Sequence, residues 1–314
     1  MAFNRIAVYG HRGWAGSRIV EALIALGAPI KVLYRPGSDV SDLPAIVTTV
    51  EVDVDDEQAL VDALQDVDIV ISLVGHHGAQ KQHAFVKAIP RTGVKLFSPS
   101  DLASRFDEEG LRFSGNKAKH DLEQAAKAAG IPTTVVLTGN FAEFALNTLA
   151  LGVDIPGNRI LYSGNSADER LNICTSSSTR DYVAAAYASI FASRPVSEIE
   201  NRVIALTELA PTGREIAAGL AAKHGAPPSV LKHALERVSS ELEDGLSSGS
   251  PLTVIWLGRK IWATGQQARL VGTDRWDVEG YEKATIDDLI VWGKLGAYRE
   301  VPLPVQEYFE NSLL

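Results

Sequence analysis

Residues 8–16 read VYGHRGWAG and place glycines at every third position directly after an apolar run. The run that leads into them, RIAVYG (5–10), has the β-branched and aromatic content of a strand. The run that follows, SRIVEALIALG (17–27), has the apolar spacing of a helix. A strand, a G-x-x-G-x-x-G turn and a helix in this order are typical of a phosphate-binding turn.

Each glycine of the turn has a physical reason to be glycine. Gly10 permits the sharp exit from the strand, and Gly13 lets the backbone approach a diphosphate, whose charge meets the unpaired N–H groups of the helix. Gly16 lets the helix pack closely on the sheet. The turn therefore predicts a dinucleotide site, although a glycine-rich turn without a ligand would look similar.

The residues around the glycines indicate which dinucleotide fits. An NAD site places Asp or Glu at the end of the second strand, whereas an arginine there accommodates the 2′-phosphate of NADP(H). VLYRPG (32–37) supplies Arg35, and Arg12 inside the turn supplies a second guanidinium. We therefore predict NADPH/NADP+ as cofactor, with Trp14 as a further contact within the turn. The open alternative is that both arginines are solvated surface charges.

The first half of the chain repeats the strand–helix alternation. Strand-like runs at 30–35, 46–53, 68–75, 94–100 and 133–139 are interleaved with helical runs at 55–67, 81–89 and 116–130. This β-α-β rhythm predicts an α/β fold, a doubly wound parallel sheet of the Rossmann type. We predict a cofactor-binding domain over residues 1–150.

The second half is mixed, and we predict a smaller α/β substrate-binding lobe over 151–314 with segments that return to the sheet. Helices are predicted at 141–152, 179–193, 210–225, 229–246, 252–264 and 284–294, and strands at 158–164, 170–176 and 201–208. The aromatic residues of this half either line an apolar pocket or pack in the core: Trp256, Trp262, Trp276, Tyr281 and Trp292. The apolar segment 251–265 either caps a pocket or packs against a second subunit in a homodimer.

Composition excludes several classes of protein. The net charge of −9, with scattered basic residues, disfavours nucleic acid as a partner. Cys174 is the one cysteine, so an internal disulfide and a multi-cysteine metal site are excluded, and no His-x-x-x-His or carboxylate cluster suggests a metal. No apolar run approaches the roughly 20 residues that span a bilayer, and the amino terminus lacks a signal-peptide layout. We expect a cytoplasmic protein with a small-molecule substrate and no membrane partner.

Five segments together resemble the NmrA-like, isoflavone reductase-like family of atypical short-chain dehydrogenase/reductases. They are GHRGWAGSRIVEALIALG (10–27), VLYRPGSD (32–39), DVDIVISLVG (66–75), GVKLFSPSD (93–101) and NKAKHDLEQAAKAAGIPTTVVLTGNFAEF (116–144). The resemblance covers residues 4–150 well and fades after about residue 225. It implies an NADPH-binding oxidoreductase that acts on phenylpropanoid-type, aromatic or enone-like molecules. The Tyr-x-x-x-Lys pair of other short-chain enzymes is absent, as in the atypical members.

The resemblance also implies roles for individual residues. The family's active-site lysine falls on Lys119 when counted back from Pro132, and on Lys117 if the register slips by two. Leu122, Ala125, Ala126 and Ala129 predict the inward stripe of this helix, which favours Lys119 because it lies on the flank of that stripe. The family's cofactor contacts after the fourth and sixth strands fall on Leu73, Val74, Gly75, Asn140 and Phe141.

The sequence is compatible with three functions. The first is hydride transfer from NADPH with Lys119 as acid or base. The others are a redox-sensing regulator that binds NADP(H) without catalysis, and an isomerase or cyclase that depends on the dinucleotide. His76 and His77, at the carboxyl end of the fourth strand, are auxiliary candidates or plain loop residues.

Overall fold

The computed structural model describes residues 4–314, except for the side chains of His76 and His77. The strands are β1 (Ile6–Tyr9), β2 (Ile30–Tyr34), β3 (Thr48–Glu51), β4 (Ile69–Ser72), β5 (Leu96–Ser98), β6 (Thr134–Leu137), β7 (Asn140–Phe141), β8 (Val153–Asp154), β9 (Arg159–Ser163), β10 (Ile173–Cys174), β11 (Arg202–Leu206), β12 (Ser229–His233) and β13 (Arg275–Trp276). The α-helices are α1 (Trp14–Ala25), α2 (Glu57–Ala63), α3 (His83–Ala88), α4 (Ser114–Ala128), α5 (Ala142–Asn147), α6 (Tyr182–Tyr187), α7 (Val196–Ile199), α8 (Gly213–His224), α9 (Leu235–Ser248), α10 (Thr253–Ala263), α11 (Gln267–Val271) and α12 (Leu303–Asn311). Short 3₁₀ turns lie at His76–Gln82, Ile89–Arg91 and Gly110–Arg112, and π-helical turns lie at Ala188–Ala192 and Asp287–Val291.

The chain forms two compact units, each made of discontinuous segments. The first unit takes in residues 1–101, 115–136 and 183–204, and the second takes in 102–114, 137–182 and 205–314. The predicted division at residue 150 concerns which residues hold cofactor and substrate, and it stays a prediction.

The first unit is built on a parallel sheet with strand order β3-β2-β1-β4-β5. The register aligns Ile6 of β1 with Ile30 of β2 on one side and with Ile69 of β4 on the other. A parallel bridge from Phe97, in the middle of β5, to Thr133, the residue before β6, then links these two strands, and β6 in turn pairs with β11. This order is that of a doubly wound Rossmann-type sheet, so the predicted fold class is confirmed.

The burial of the central strands explains why their sequences are almost entirely apolar. Every residue of β1, β4 and β5 is buried, as expected for parallel strands covered by helices on both faces. On one face, Phe85 of α3 lies against Phe97 with ring centroids 6.1 Å apart, and Leu122 and Ala126 of α4 join the same cluster. Of the predicted inward stripe of α4, Ala125 is half-buried and Ala129 is exposed, because α4 ends at Ala128.

The second unit has its own small sheet and core. β12 pairs in parallel with β9, aligning Ser229 with Arg159, and β8 pairs with β9 in the antiparallel sense. The helix predicted over 229–246 is therefore wrong at its start, because residues 229–233 form β12 and the helix begins at Leu235. The side chains of Trp256 and Trp262 are buried in the apolar clusters of this unit, whereas Trp292 is 71% exposed.

Candidate functional site

The glycine turn between β1 and α1 is shaped by contacts that tolerate no side chain at two positions. Gly10 has φ +96°, and a Cβ there would lie 2.8 Å from the carbonyl carbon of Leu73. A Cβ on Gly16 would lie 2.5 Å from the carbonyl oxygen of Gly10. These two glycines therefore keep the turn tight against the end of β4 and allow α1 to begin directly above it.

Gly13 has a different environment. It is the N-cap of α1, in extended conformation with φ −66°, and a Cβ there would meet nothing closer than 3.5 Å. It is exposed, its N–H donates to the carbonyl oxygen of Gly10 at 3.2 Å, and no side chain caps the helix. The first turn of α1 holds no acidic residue, so its N–H groups and the helix dipole favour an anion at this position.

The two arginines predicted to select the cofactor are both exposed. Arg12 lines a cavity of about 440 Å³ that lies between α1 and the segment 39–44. The pKa of Asp39 in that segment is lowered, chiefly by hydrogen bonds from Ser41 and in part by the positive charge of Arg12. Arg12 is thus accessible from a concave surface, and a nearby carboxylate would compete with a bound phosphate for it.

Two further residues of the turn differ in exposure. Trp14, the first residue of α1, is half-buried. His11 is buried, and its pKa is lowered by burial first and by the charge of Arg12 second. A neutral imidazole therefore accompanies the Arg12 guanidinium, so only one of these two neighbouring side chains carries charge at neutral pH.

The segment after β4 lies where the resemblance implies cofactor contacts. Leu73 is buried and supplies the backbone that touches Gly10, Val74 is half-buried, and Gly75 is exposed with space around its Cα. The carbonyl oxygen of Val74 accepts a hydrogen bond from Ser100 Oγ at 2.7 Å. The carboxyl ends of β4 and β5, where ligands of such sheets bind, are therefore joined by a direct contact.

Lys119 belongs to α4, and its amine lies beside Asp101, which follows β5, the strand next to β4. Its Nζ donates to the carbonyl oxygen of Asp101 at 2.6 Å and lies 3.6 Å from Asp101 Oδ1. Both side chains are largely buried, with 14% and 13% of their surface exposed. The amine is therefore fixed beside the segment 98–101 and does not extend freely into solvent.

Lys117, in contrast to Lys119, is exposed to solvent. It forms a helix-surface ion pair with Asp121, one turn further along α4, and 61% of its side chain is exposed. An exposed ion pair of this kind contributes little to stability, and it leaves the amine in contact with water. The geometry therefore favours Lys119 over Lys117 as the lysine that faces a ligand. The side chains of His76 and His77 lie outside the described residues.

Asn140 and Phe141 belong to the second unit, where they form β7 and pair with Ile173 and Cys174. Both are half-buried, and the backbone N–H of Asn140 donates to the carbonyl oxygen of Asn172 at 3.1 Å. The preceding residue, Gly139, has φ +70°, and a Cβ there would lie 2.9 Å from the Asn172 side chain. The pair is thus held rigidly at the end of β6, and its role toward a cofactor stays a prediction.

The structure adds residues that the sequence did not single out. Asp101 accepts a hydrogen bond from the Lys119 amine, and the fully buried Tyr187 of α6 interacts electrostatically with Asp101. The place of Asp101 shortly after β5 was the one signal in the sequence for this pair of residues. In the second unit, Glu143 is fully buried, and burial raises its pKa to about 7 although the Ser176 N–H donates to it at 3.0 Å. A carboxyl that holds its proton near neutral pH has no signature in the local sequence.

The described part of the chain, residues 4–314, shows neither a metal centre nor a membrane-spanning helix. No group of three or more His, Cys, Asp or Glu side chains, His76 and His77 aside, is arranged to hold a metal ion. No helix in this part of the chain has the length and apolar character needed to cross a bilayer. Cys174 is completely buried, and burial raises the pKa of its thiol, so it is a poor nucleophile.

Comparison with known proteins places this geometry in context. A pinoresinol-lariciresinol reductase of Thuja plicata is 36% identical over 173 residues, covering 49% of this chain and 54% of the relative. A phenylcoumaran benzylic ether reductase of Arabidopsis thaliana is 32% identical over 181 residues, covering 52% and 58% of the two chains. The matched part thus spans about half the length of these curated relatives.

Solved structures extend the likeness in fold to nearly the whole chain. A structure from work on pinoresinol-lariciresinol and phenylcoumaran benzylic ether reductases superposes with a TM-score of 0.73 at 21% identity, over 93% of this chain and 99% of the other. The binary complex of leucoanthocyanidin reductase with NADPH from Vitis vinifera gives a TM-score of 0.66 at 19% identity, over 98% and 99%. The family model described as NmrA-like matches residues 3–238. The chain belongs to the NmrA-like family.

Proposed function

We propose that the protein is an NADPH-dependent reductase that transfers a hydride to a small conjugated or aromatic substrate. The Lys119 amine, fixed at the carboxyl end of β5, carries this proposal. The relatives in sequence are named as reductases of pinoresinol, lariciresinol and phenylcoumaran benzylic ethers, which supports the substrate class. The likeness in fold to an NADPH complex supports the cofactor.

The glycine turn fits a dinucleotide. The uncapped first turn of α1 offers N–H groups to a diphosphate, and the exposed Gly13 places no side chain in front of them. Arg12 and Arg35 would bind the 2′-phosphate. We assign the remaining contacts, as proposals, to Gly10, Trp14, Gly16, Leu73, Val74, Gly75, Asn140 and Phe141.

The proposed reaction needs a hydride donor and a proton donor. Bound at this turn, NADPH would supply the hydride that the substrate carbon accepts. The Lys119 Nζ would donate a proton to the substrate oxygen on which negative charge develops, and would regain it from solvent after product release. Asp101 keeps the amine in place throughout, because its carbonyl oxygen accepts a hydrogen bond from Nζ.

Loss of NADPH absorbance with a panel of enones, quinones and benzylic aryl ethers tests the proposal. We expect turnover with at least one class, and a loss of roughly 10²- to 10⁴-fold in K119A with NADPH affinity retained. K117A is the matched control and should keep wild-type turnover, because Lys117 is exposed. Binding of NADPH with no turnover across the panel would refute the reductase and favour the regulator. Product formation without net NADPH loss would favour the isomerase or cyclase.

A further inference from the structure

The Lys119 amine donates a hydrogen bond to the main chain of Asp101 and lies near the carboxylate of the same residue. We propose that Asp101 is a positioning residue that fixes the direction in which Lys119 donates its proton; this inference rests on the proposed function. The Asp101 main-chain carbonyl oxygen lies 2.6 Å from Nζ, and Oδ1 of its side chain lies 3.6 Å from the same atom.

The number of donors on an ammonium group makes this arrangement directional. A lysine ammonium has three N–H donors and rotates freely when no acceptor fixes it. One N–H donates to the Asp101 carbonyl oxygen, and the carboxylate of the same residue attracts the ammonium electrostatically from 3.6 Å, a distance too long for a hydrogen bond. The hydrogen bond to the carbonyl oxygen and the attraction of the carboxylate together restrict the directions in which the remaining N–H groups point toward a substrate oxygen.

Burial makes the contact with the carboxylate effective. Only 14% of the Lys119 side chain and 13% of the Asp101 side chain are exposed, so water and salt screen this ion pair less than an open one. The segment that carries Asp101 is also fixed, because the Ser100 N–H donates to Gln82 Oε1 at 2.8 Å. The Ser100 hydroxyl is bonded in turn to the end of β4.

A buried tyrosine interacts electrostatically with Asp101. Tyr187, the last residue of α6, is fully buried, and its pKa is raised first by burial and then by the negative charge of Asp101. Its phenol therefore stays protonated, and Ser98 near it is also uncharged and fully buried. Tyr187 and Ser98 thus add no charge near Asp101, and the Lys119 ammonium lies 3.6 Å from its carboxylate.

The same helix contains a matched comparison. Lys117 pairs with Asp121 as Lys119 pairs with Asp101, but the Lys117 pair is exposed on both sides, by 61% and 47%. The ion pair of each lysine can therefore be removed by changing its own aspartate, and each variant serves as the control for the other.

Trace acetylation of cofactor-free protein, quantified by peptide mass spectrometry, tests the inference without any substrate. In D101N we expect acetylation of Lys119 to rise about fivefold relative to Lys117, because the substitution removes the negative charge that attracts the ammonium and leaves only the main-chain hydrogen bond. In D121N the rate at Lys119 should not change. D101E, which keeps a carboxylate, should return Lys119 toward the wild-type rate. Equal rates at Lys119 in wild type and D101N would overturn the inference, whether or not the protein proves to be a reductase.

Steady-state kinetics give the second readout. With a substrate from the panel, D101N should lower kcat about tenfold and leave KM and NADPH affinity within about twofold, because a misdirected donor weakens only the transition state. D101E should recover part of kcat, and D121N should match the wild type. Equal loss in D101N and D101E, or a loss confined to KM, would contradict a positioning role.

Discussion

Substituting alanine at Gly16 or at Gly13 separates the structural glycines of the turn from the one exposed to a ligand. At Gly16 the new methyl group would lie 2.5 Å from the Gly10 carbonyl oxygen and 3.4 Å from Leu73 Cβ, inside a buried packing contact. Forced overpacking of this kind costs about 1–3 kcal/mol in the free energy of unfolding. At Gly13 the nearest atom is 3.5 Å away and φ is −66°, so alanine fits the backbone. We expect G13A to change stability by less than about 0.5 kcal/mol.

For cofactor binding we expect the larger effect from G13A, the variant with the smaller effect on stability. The Gly13 methyl group would stand where the diphosphate approaches the first turn of α1, and we expect NADPH affinity to fall at least about tenfold, or about 1.4 kcal/mol. Urea unfolding and calorimetric titration of the wild type, G13A and G16A measure both quantities. G27A is a useful control, because Gly27 has φ +74° but no atom within 4 Å, so it carries backbone strain without a clash. Wild-type stability in G16A, or wild-type NADPH affinity in G13A, would refute the division of roles.

Two further predictions concern charge. R35A should weaken NADPH binding about 10- to 100-fold and NADH binding little, because a charge-assisted contact to the 2′-phosphate is lost; equal losses for both cofactors would contradict that role. The pKa of Glu143 is raised to about 7 by burial, so the folded protein retains a proton that the unfolded chain releases above its ordinary value of 4.5. The wild type should therefore lose stability relative to E143Q as pH rises from 4.5 to 7, by up to about 1.4 kcal/mol per pH unit. Parallel urea midpoints across this range would show that Glu143 ionises normally.

The parts of the fold that local pattern determines were predictable. The strand–turn–helix at Ile6–Ala25 follows from apolar runs and glycine chemistry within twenty residues, and the parallel sheet follows from its repetition. Residues 229–233 were assigned to a helix because they continue into an amphipathic run, whereas their strand depends on pairing with β9, about seventy residues earlier. Tertiary pairing of this kind overrides local propensity.

For the candidate site, the choice of lysine could be predicted from the sequence, but the environment around it could not. Lys119 could be selected over Lys117 from its place beside the buried stripe of α4, and its burial agrees with that choice. Its partner Asp101 is eighteen residues away and Tyr187 comes from a later helix, so no spacing in the sequence joins them. The buried environment of Glu143 likewise depends on Ser176, which is distant in sequence. The expected cytoplasmic location and homodimer stay predictions.

The central claim is that the turn at Gly10–Gly16 binds the diphosphate of a nicotinamide dinucleotide. Isothermal titration of the purified full chain with NADPH and, in parallel, with NADH tests it most directly. We expect saturable binding of one NADPH per chain, with weaker binding of NADH because Arg12 and Arg35 meet no 2′-phosphate. Absence of saturable binding for both dinucleotides would contradict the account.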